Sequence, residues 1–404
     1  MRRILLWVCL ILQGVSATVI YAKEPLVATV PTEPDPMLVE AIRQAGGQIN
    51  RAKDGHIVFI GFYNEQARTN SRFEFLKKLD RLQELAVNYT ASAEWMESIS
   101  ELPELRTLTT YRCGITDEAI RHLKTVKSLR HLELEVSPVT DEGLKALVNL
   151  PSLETLVLIR VPVTDEGLKS VARLPELKKL SLGLLKITPA GILALRDSPV
   201  EELIWWDEDL PHLAYLPYVK KLKNLKRLNL SSRSVSDEVA EHLRDIKSLE
   251  TLDLHDHRLS DEGLRKLSEL TNLRELNLSL GFEMYRQNYK NPISDRGLAH
   301  LTRFNKLEVL SLSSTAVTDA GLQHVAKLTQ LQKLYLRGTK VSASGLAALG
   351  TLQHLETLDI TATPAQAEPQ IDLRSLKNLK TVYAYESDER TILVPEDCVV
   401  ITFD

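Results

Sequence analysis

Residues 153–174 read LETLVLIRVPVTDEGLKSVARL, and this stretch contains two different spacings of apolar residues. In its first part, Leu156 and Leu158 alternate with other residues, which is typical of a short strand with one face buried. In its second part, Leu168 and Val171 lie three positions apart, which places them on one face of a helix. The stretch therefore predicts a strand, a turn and a helix in one compact unit.

The same unit returns along the chain. The phrase VTDEGLKALV at 139–148 comes back as VTDEGLKSVA at 163–172, and strand-opening residues recur every 23 to 25 positions except for one gap of 34. A stacked-repeat architecture has this signature, because a single unit cannot bury its apolar face without its neighbours. We predict an α/β solenoid, a horseshoe with a parallel concave sheet, convex helices and about 12 to 13 repeats of about 24 residues. The strand-opening residues are Leu85, Leu108, Leu132, Leu156, Leu180, Leu203, Leu228, Leu252, Leu276, Leu310, Leu334, Leu358 and Val382.

Many units carry Thr or Ser at the same place before the helix. In one unit the next residue is Pro189, which is favoured at the first helical position, so the preceding Thr or Ser is predicted to be the N-cap. The Asp that usually follows lies in the first turn, where its charge stabilises the helix dipole by about 0.5 kcal/mol. We therefore interpret TDEGL as a helix start rather than as a recurrent acid pair for catalysis. The nine predicted caps are Thr116, Thr140, Thr164, Thr188, Ser236, Ser260, Ser294, Thr318 and Ser342.

The N-terminal residues MRRILLWVCLILQGVSATVIYA have the charged start and apolar run of an export signal. They are also just long enough to form an uncleaved membrane anchor, so a signal peptide at 1–22 and an N-terminal membrane tether both stay open. Either interpretation places the protein outside the cytoplasm, as a secreted, periplasmic or cell-envelope protein. Residues 23–36 are rich in proline and predict an extended tether.

The ends of the chain differ from the repeats, as the ends of a solenoid must in order to cover its core. Residues 37–79 predict an N-terminal cap, with a short helix in MLVEAIRQAG and a hairpin in GQINRAKDGHIVFIGF. The repeats occupy 80–385, and 386–404 predict a strand-like C-terminal cap in which Cys398 is buried.

Composition limits the possible functions. The chain has 404 residues, of which 44% are hydrophobic and 26% charged, and this fits a folded protein with an ample core. Its net charge is −4 and Asp plus Glu outnumber Lys plus Arg by 54 to 50, so nucleic acid is not an expected partner. The three cysteines, Cys9, Cys113 and Cys398, form no CxxC pair, which indicates neither a zinc module nor a disulfide framework.

Through phrases such as LEVLSLSSTAVTDAGLQHV and LQKLYLRGTKVSASGLAAL, residues 80–385 resemble leucine-rich repeat proteins. In detail they are similar to the repeat-only, exported bacterial members and to the cysteine-containing, ribonuclease-inhibitor-like subtype. The family's ladder position, commonly Asn or Cys, is here mostly Thr, as at Thr315, Thr339 and Thr363, with Cys113 once. This departure implies an incomplete ladder and a structural role for Cys113. The resemblance also implies binding of other proteins through the concave sheet. We predict a non-catalytic protein that binds a protein or peptide partner there.

The sequence contains no Gly-rich phosphate loop, HExxH, GxSxG or calcium-loop motif, and no cofactor is predicted. Strand alternation places Asp253 and His255 together on the concave face, but catalytic zinc requires more ligands than this pair, so no metal is predicted. Glu133 and Glu135 share one face of one strand, about 7 Å apart. They support an alternative function, a carbohydrate- or peptide-processing enzyme of the cell envelope, although an open strand face has no cleft to exclude water.

The middle of the concave sheet is predicted to be apolar, with polar strands on both sides. This arrangement is typical of an interaction site with a rim. Trp206 is predicted to be exposed as the anchor of the site, Trp205 points into the core, and the small residues Ser181 and Gly183 leave a dip between bulky rows. The predicted binding residues on this face are Glu133, Glu135, Val157, Ile159, Ile204, Trp206, Asp253 and His255.

Two segments leave alternatives open. The unit after Trp206, DEDLPHLAYLPYVKKLKNL, lacks the usual cap and contains two prolines, so it could also close over the apolar patch and make it part of the core. The long gap after Leu276 holds about ten extra residues, including Phe282 and Tyr285. These predict either a functional loop that adds to the binding site or a surface loop folded on its own aromatic residues.

Overall fold

The computed structural model describes residues 35–63, 73–90, 93–206, 212–230, 235–280, 293–386 and 391–403. The predicted signal or anchor at 1–22, most of the predicted tether at 23–36, and the insertion with Phe282 and Tyr285 lie outside the described residues. Within the described ranges, strands and helices alternate along the chain, and the strands form a long parallel sheet. The chain is an α/β solenoid, as predicted.

The strands stack in chain order. They are β1 Gly47–Arg51, β2 Ile57–Phe62, β3 Glu84–Asn88, β4 Thr107–Tyr111, β5 His131–Glu135, β6 Thr155–Ile159, β7 Lys179–Gly183, β8 Glu202–Trp206, β9 Arg227–Asn229, β10 Thr251–Asp253, β11 Glu275–Asn277, β12 Val309–Ser311, β13 Lys333–Tyr335, β14 Thr357–Asp359, β15 Gln370–Asp372, β16 Thr381–Tyr385, β17 Thr391–Leu393 and β18 Val399–Phe403. In the described residues, 16 of them form one sheet, in which β1 pairs antiparallel with β2 and every later pair is parallel, while β15 and β17 pair separately.

The sheet keeps the same register from unit to unit. Each predicted strand-opening residue pairs with the equivalent residue of the next strand, from Leu85 opposite Leu108 to Leu358 opposite Val382. All of these residues are buried. They therefore form one continuous apolar column, and burial of this column in each unit depends on the units beside it.

The helices follow the strands at the predicted places. They are α1 Pro36–Gln44, α2 Trp95–Ile99, α3 Asp117–Ile120, α4 Asp141–Leu147, α5 Asp165–Val171, α6 Pro189–Ala194, α7 His212–Val219, α8 Asp237–Leu243, α9 Asp261–Leu267, α10 Asp295–Leu298, α11 Asp319–Val325 and α12 Ala343–Leu346. All nine predicted Thr and Ser residues are N-caps, and every one except Ser236 accepts a backbone N–H of the first helical turn through its side chain. The cap prediction is confirmed.

The Asp after the cap links consecutive units, in addition to any effect on the helix dipole. Its Oδ2 accepts the cap hydroxyl of the next unit at 2.5–2.6 Å and its Oδ1 accepts the cap backbone N–H at 2.7–2.9 Å. Bonds to an ionised acceptor are stronger than neutral ones. We call this contact the Asp–cap bridge, and its pairs are Asp117–Thr140, Asp141–Thr164, Asp165–Thr188, Asp237–Ser260, Asp261–Ser294, Asp295–Thr318 and Asp319–Ser342.

The Gly of the TDEGL phrase has no side chain, and the aspartate of the preceding unit occupies the space where a Cβ would lie. A Cβ built at any of seven glycines would lie 2.0–2.5 Å from Oδ1 of the aspartate in the preceding unit, which is far closer than a van der Waals contact. A larger residue would therefore push the carboxylate away from its two donors. The seven glycines are Gly143, Gly167, Gly191, Gly263, Gly297, Gly321 and Gly345.

The chain turns sharply after many of the repeat strands through a residue with positive φ, such as Arg112 at 52° and Arg160 at 51°. The residue after this turn occupies the ladder position and points into the core. Cys113, 2% exposed, donates its thiol to the carbonyl of Val87 at 3.0 Å, in keeping with its predicted structural role. Val161 at the same position of another unit is buried and has no side-chain donor, so the ladder is incomplete, as predicted.

At the C-terminal end, β18 is the last strand of the sheet and pairs with β16. Cys398 precedes this strand and is only partly buried, so the prediction of a buried cap residue is wrong. The physical reason is position, because no further described strand covers the outer edge of β18.

Candidate binding surface

Residues that flank the buried leucines of each strand lie on the concave face, in rows set by the register. Two neighbouring rows run across β5, β6, β7 and β8 and contain six of the predicted binding residues. These rows are Glu133, Val157, Ser181 and Ile204, and then Glu135, Ile159, Gly183 and Trp206.

Trp206 is half-buried, so the prediction that its side chain is exposed is wrong. Its ring leans over Gly183, where a Cβ would lie 3.3 Å from Cε3 of Trp206 and 3.3 Å from Cγ1 of Ile159. Gly183 and Ser181 are both buried, because the larger neighbours cover the predicted dip. The patch is thus a packed apolar surface with a shallow profile.

The irregular unit after Trp206 packs on the core side of the sheet where it is described. Trp205 is 2% exposed, as predicted, and its ring meets that of Tyr215 edge-on at 4.7 Å between centroids. The hydroxyl of Tyr215, in α7, donates to the carbonyl of Ile187 at 3.1 Å. Helix α7 therefore does not close over the concave patch, and residues 207–211 lie outside the described ranges.

Glu135 is the most buried of the predicted concave acids. It is 5% exposed, and no described residue donates a hydrogen bond to its carboxylate. Burial and the charge of Glu133 raise the pKa of Glu135 to about 7, although Arg160 and Arg112 oppose the shift. Oε2 of Glu133 lies 3.8 Å from Nε2 of His131. A carboxyl group in this environment is partly protonated at neutral pH.

Asp253 and His255 lie beside each other, as predicted. Nδ1 of His255 is 2.9 Å from Oδ1 of Asp253, and Nδ2 of Asn229 donates to Oδ2 of the same aspartate at 3.2 Å. Burial lowers the pKa of His255, but the hydrogen bond and charge of Asp253 outweigh it and raise the pKa above its ordinary value. The carboxylate also accepts the backbone N–H of His255 at 3.1 Å, so it has three partners and this pair is a satisfied polar contact.

A concave hollow of about 660 Å³ opens next to the apolar patch, over β8 to β13. Ile204 and Asp253 are the two predicted binding residues that line it. Some of its other lining residues are charged, and both signs of charge occur among them. These lining residues are Glu202, Arg227, Leu228, Asn229, Thr251, Leu252, Glu275, Leu276, Asn277, Val309, Ser311, Lys333 and Tyr335.

Sequence reasoning missed the apolar part of the concave face at the C-terminal end. Val399, Ile401 and Phe403 of β18 are 60%, 38% and 48% exposed, and they pair in register with the concave residues of β16. Phe403 stacks on Tyr383 with the ring centroids 6.1 Å apart. The alternation in VVITF was the available signal, but it indicates a strand without telling which of its faces is covered.

Two further observations concern chemistry and membranes. Within the described residues, no group of three or more His, Cys, Asp or Glu side chains is placed to hold a metal ion. In the same part of the chain, none of the helices combines the length and apolar character needed to span a bilayer.

The strand, turn and helix of each unit, the in-register column of leucines and the concave face define a leucine-rich repeat solenoid. The family model described as "Leucine Rich repeat" matches residues 127–148, 246–268 and 305–326. The chain therefore contains leucine-rich repeats. The cysteine-containing subtype stays a prediction. Proteins of this kind typically act in protein–protein interaction and are generally non-enzymatic.

Solved structures similar to this chain include an internalin from Listeria monocytogenes and an LRR protein from Leptospira interrogans. The internalin is 20% identical with a TM-score of 0.46, and the match covers 88% of this chain and 98% of that chain. The Leptospira protein is 17% identical with a TM-score of 0.41, and the match covers 81% of this chain and 91% of that chain. No curated protein matches the sequence.

Proposed function

We propose that this protein is a non-catalytic scaffold that binds a protein or peptide partner on its concave face. One observation carries the proposal. Five large apolar residues of the described part of the chain are exposed, and three of them, Val399, Ile401 and Phe403, lie together on the concave side. Exposed apolar side chains grouped in one place usually mark an interaction surface.

The concave face also offers the mixture of groups that protein interfaces use. The half-buried Trp206 and Ile159 form an apolar patch, the hollow beside it carries charged side chains of both signs, and aromatic residues lie at the C-terminal end. An apolar centre with a polar surround excludes water from a few strong contacts. We propose that the partner contacts the concave sheet from Glu133 to His255, and that the exposed residues of β18 extend the same surface at the C-terminal end.

Trp206→Ala is expected to weaken partner binding by about 2 kcal/mol, or roughly 30-fold, because aromatic anchors dominate interface energy. Unfolding in urea should change by less than about 1 kcal/mol, since Trp206 is only half-buried. The measurement is capture of partner proteins from an envelope extract by the purified full-length chain, followed by titration of the captured protein.

The matched control is Lys169→Ala on the convex helix α5, where the side chain is exposed and binding should not change. Equal loss of binding in both variants would contradict a concave site. A fall in stability as large as the fall in binding would show that Trp206 is part of the core and that the partner binds elsewhere.

The alternative, a carbohydrate- or peptide-processing enzyme, has one observation in its favour. The raised pKa of Glu135 beside Glu133 is a property that general acids share. However, both carboxyls project from the open face of one strand, and the described residues form no cleft around them that would exclude water during hydrolysis. Loss of a measured hydrolytic activity in Glu133→Gln would favour the enzyme, and unchanged partner capture would favour the scaffold.

We further propose that the protein acts outside the cytoplasm, either secreted or held at the cell envelope. The support is the sequence of residues 1–22, with Arg2 and Arg3 before an apolar run, followed by the proline-rich segment. Cell fractionation is expected to find the protein in the periplasmic, envelope or secreted fraction. Recovery of the full-length chain in the cytoplasm would contradict export.

A further inference from the structure

Glu135 is 5% exposed and no described residue donates a hydrogen bond to its carboxylate, although neither carboxylate oxygen is fully buried. Register places Tyr111 of β4 on one side of Glu135 and Ile159 of β6 on the other, while Glu133 precedes it by two residues on the same face of β5. A buried carboxylate costs several kcal/mol unless a cation or donors compensate it.

Other acids on the concave face are satisfied within the protein. Glu202 forms ion pairs with Lys179 at 2.8 Å and with Arg227 at 3.0 Å. Asp253 contacts the imidazole of His255 and accepts the backbone N–H of the same residue and the side-chain amide of Asn229. Glu135 differs from both, because it is more buried than they are and no described residue forms a hydrogen bond or ion pair with its carboxylate.

The charged groups around Glu135 come from three neighbouring units. Arg112 follows β4, and its guanidinium lies over the ring of Tyr111 at 5.6 Å from the centroid. Arg160 follows β6 and is exposed. Neither arginine forms an ion pair with Glu135, although both oppose its protonation. On β5 itself, Nε2 of His131 lies 3.8 Å from the carboxylate of Glu133. On β6, the residues that pair with Glu133 and Glu135 are Val157 and Ile159, which are both apolar.

We propose that Glu133 and Glu135 together hold the guanidinium of an arginine side chain that the partner inserts into the concave face. This inference rests on the proposed scaffold function and names the partner's chemistry. A guanidinium has five donors in a flat fork, so it can satisfy two carboxylates at once, whereas an ammonium is a compact point charge. The arginine stem packs on Val157 and Ile159, and its flat head lies beside the ring of Tyr111, as Arg112 already does.

The test uses a hexa-arginine peptide and the full-length protein, with hexa-lysine and neutral hexa-citrulline as comparison peptides, in calorimetric titrations at pH 6 and pH 8. Arginine binds the ionised carboxylate, and the ionised fraction rises about tenfold over this interval for a group with the pKa of Glu135. The wild type is therefore expected to bind hexa-arginine about tenfold more tightly at pH 8 than at pH 6. Glu135→Gln should remove both the added affinity and the pH dependence.

The matched control is Glu262→Gln on the convex helix α9, which changes an exposed glutamate that already accepts two hydrogen bonds from Arg265, at 2.7 and 2.6 Å. It is expected to bind hexa-arginine like the wild type. Equal binding by Glu135→Gln and the wild type, an equal loss in Glu262→Gln, or no measurable binding by the wild type would each overturn the proposal. Hexa-lysine binding as tight as hexa-arginine binding would overturn the preference for a guanidinium.

The peptide experiment does not depend on the natural partner. If hexa-arginine shows no dependence on Glu135 while partner capture still requires Trp206, the arginine site is wrong and the scaffold function stands. If partner capture is insensitive to every concave substitution while the peptide result holds, the scaffold proposal fails and the cation site stands. Melting curves of Glu135→Gln, which should be no less stable than the wild type at pH 8, exclude misfolding as the cause.

Discussion

Gly321→Ala is expected to lower the free energy of unfolding by about 3 kcal/mol, which is large for the addition of one methyl group. Its Cβ would lie 2.4 Å from Oδ1 of Asp295 and 2.9 Å from Cδ1 of Leu298. The carboxylate of Asp295 must then leave the backbone N–H and the hydroxyl of Thr318, which it accepts at 2.9 and 2.6 Å. A partly buried acid and two donors lose their partners together. Urea denaturation of the full-length protein measures the loss.

A double-mutant cycle separates this clash from other effects of the substitution. Asp295→Ala removes the carboxylate, so Gly321→Ala in that background should lie within about 1 kcal/mol of neutral, helped by the better helix propensity of alanine. The expected coupling between the two positions is about 2 kcal/mol or more. If Gly321→Ala still lowered the free energy of unfolding by about 3 kcal/mol in the Asp295→Ala background, the loss would not come from disruption of the Asp–cap bridge.

Acid is expected to remove about 3 kcal/mol of stability through His257 alone. This side chain is fully buried at a ladder position, its Nε2 lies 3.1 Å from the carbonyl of Leu278, and its Nδ1 accepts the backbone N–H of Leu259 at 2.9 Å. A second proton on Nδ1 would break the bond from Leu259 and place a charge in the core. Burial accordingly lowers the pKa of His257 from 6.5 to about 4, although the bond to Leu278 opposes the shift.

The sign of the pH effect follows from this depressed pKa. Below pH 6.5 the imidazole of His257 binds a proton in the unfolded chain but stays neutral in the folded chain. The contribution of His257 to the free energy of unfolding is therefore fully present above pH 6.5 and falls progressively towards pH 4. His257→Thr replaces the imidazole by a side chain that does not titrate, and Thr315 shows that threonine is accepted at a ladder position. The free energy of unfolding should therefore depend less on pH in the variant, by about 3 kcal/mol between pH 7 and pH 4. Parallel pH profiles of the two proteins would contradict this role.

The spacing of residues along the chain was sufficient to predict the strands, the caps and the solenoid. Leu156 and Leu158 alternate and Thr164 precedes a helical pattern within one unit, so the information is local and repeats with each unit. The buried column from Leu85 to Val382 then follows, because equivalent residues of stacked units must meet.

The candidate site was predicted only in part. The rows of Glu133 and Glu135 with their neighbours follow from strand alternation and the observed register agrees. The degree of exposure did not follow, because it depends on how far each side chain leans over the next unit. Trp206 covers Gly183 and loses exposure, whereas Phe403 on the last strand has no described unit beyond it and stays exposed.

What the sequence by itself determined is the repeating unit and the side of the sheet on which each residue lies, since both depend on residues a few positions apart. Only the tertiary structure decided the partners across units. Asp295 bonds Thr318 23 positions away and His257 reaches the carbonyl of Leu278 21 positions away. These contacts depend on the distance and angle between stacked units, which no single unit contains. For the same physical reason, the burial of Glu135 without a donor becomes visible only when three strands stand side by side.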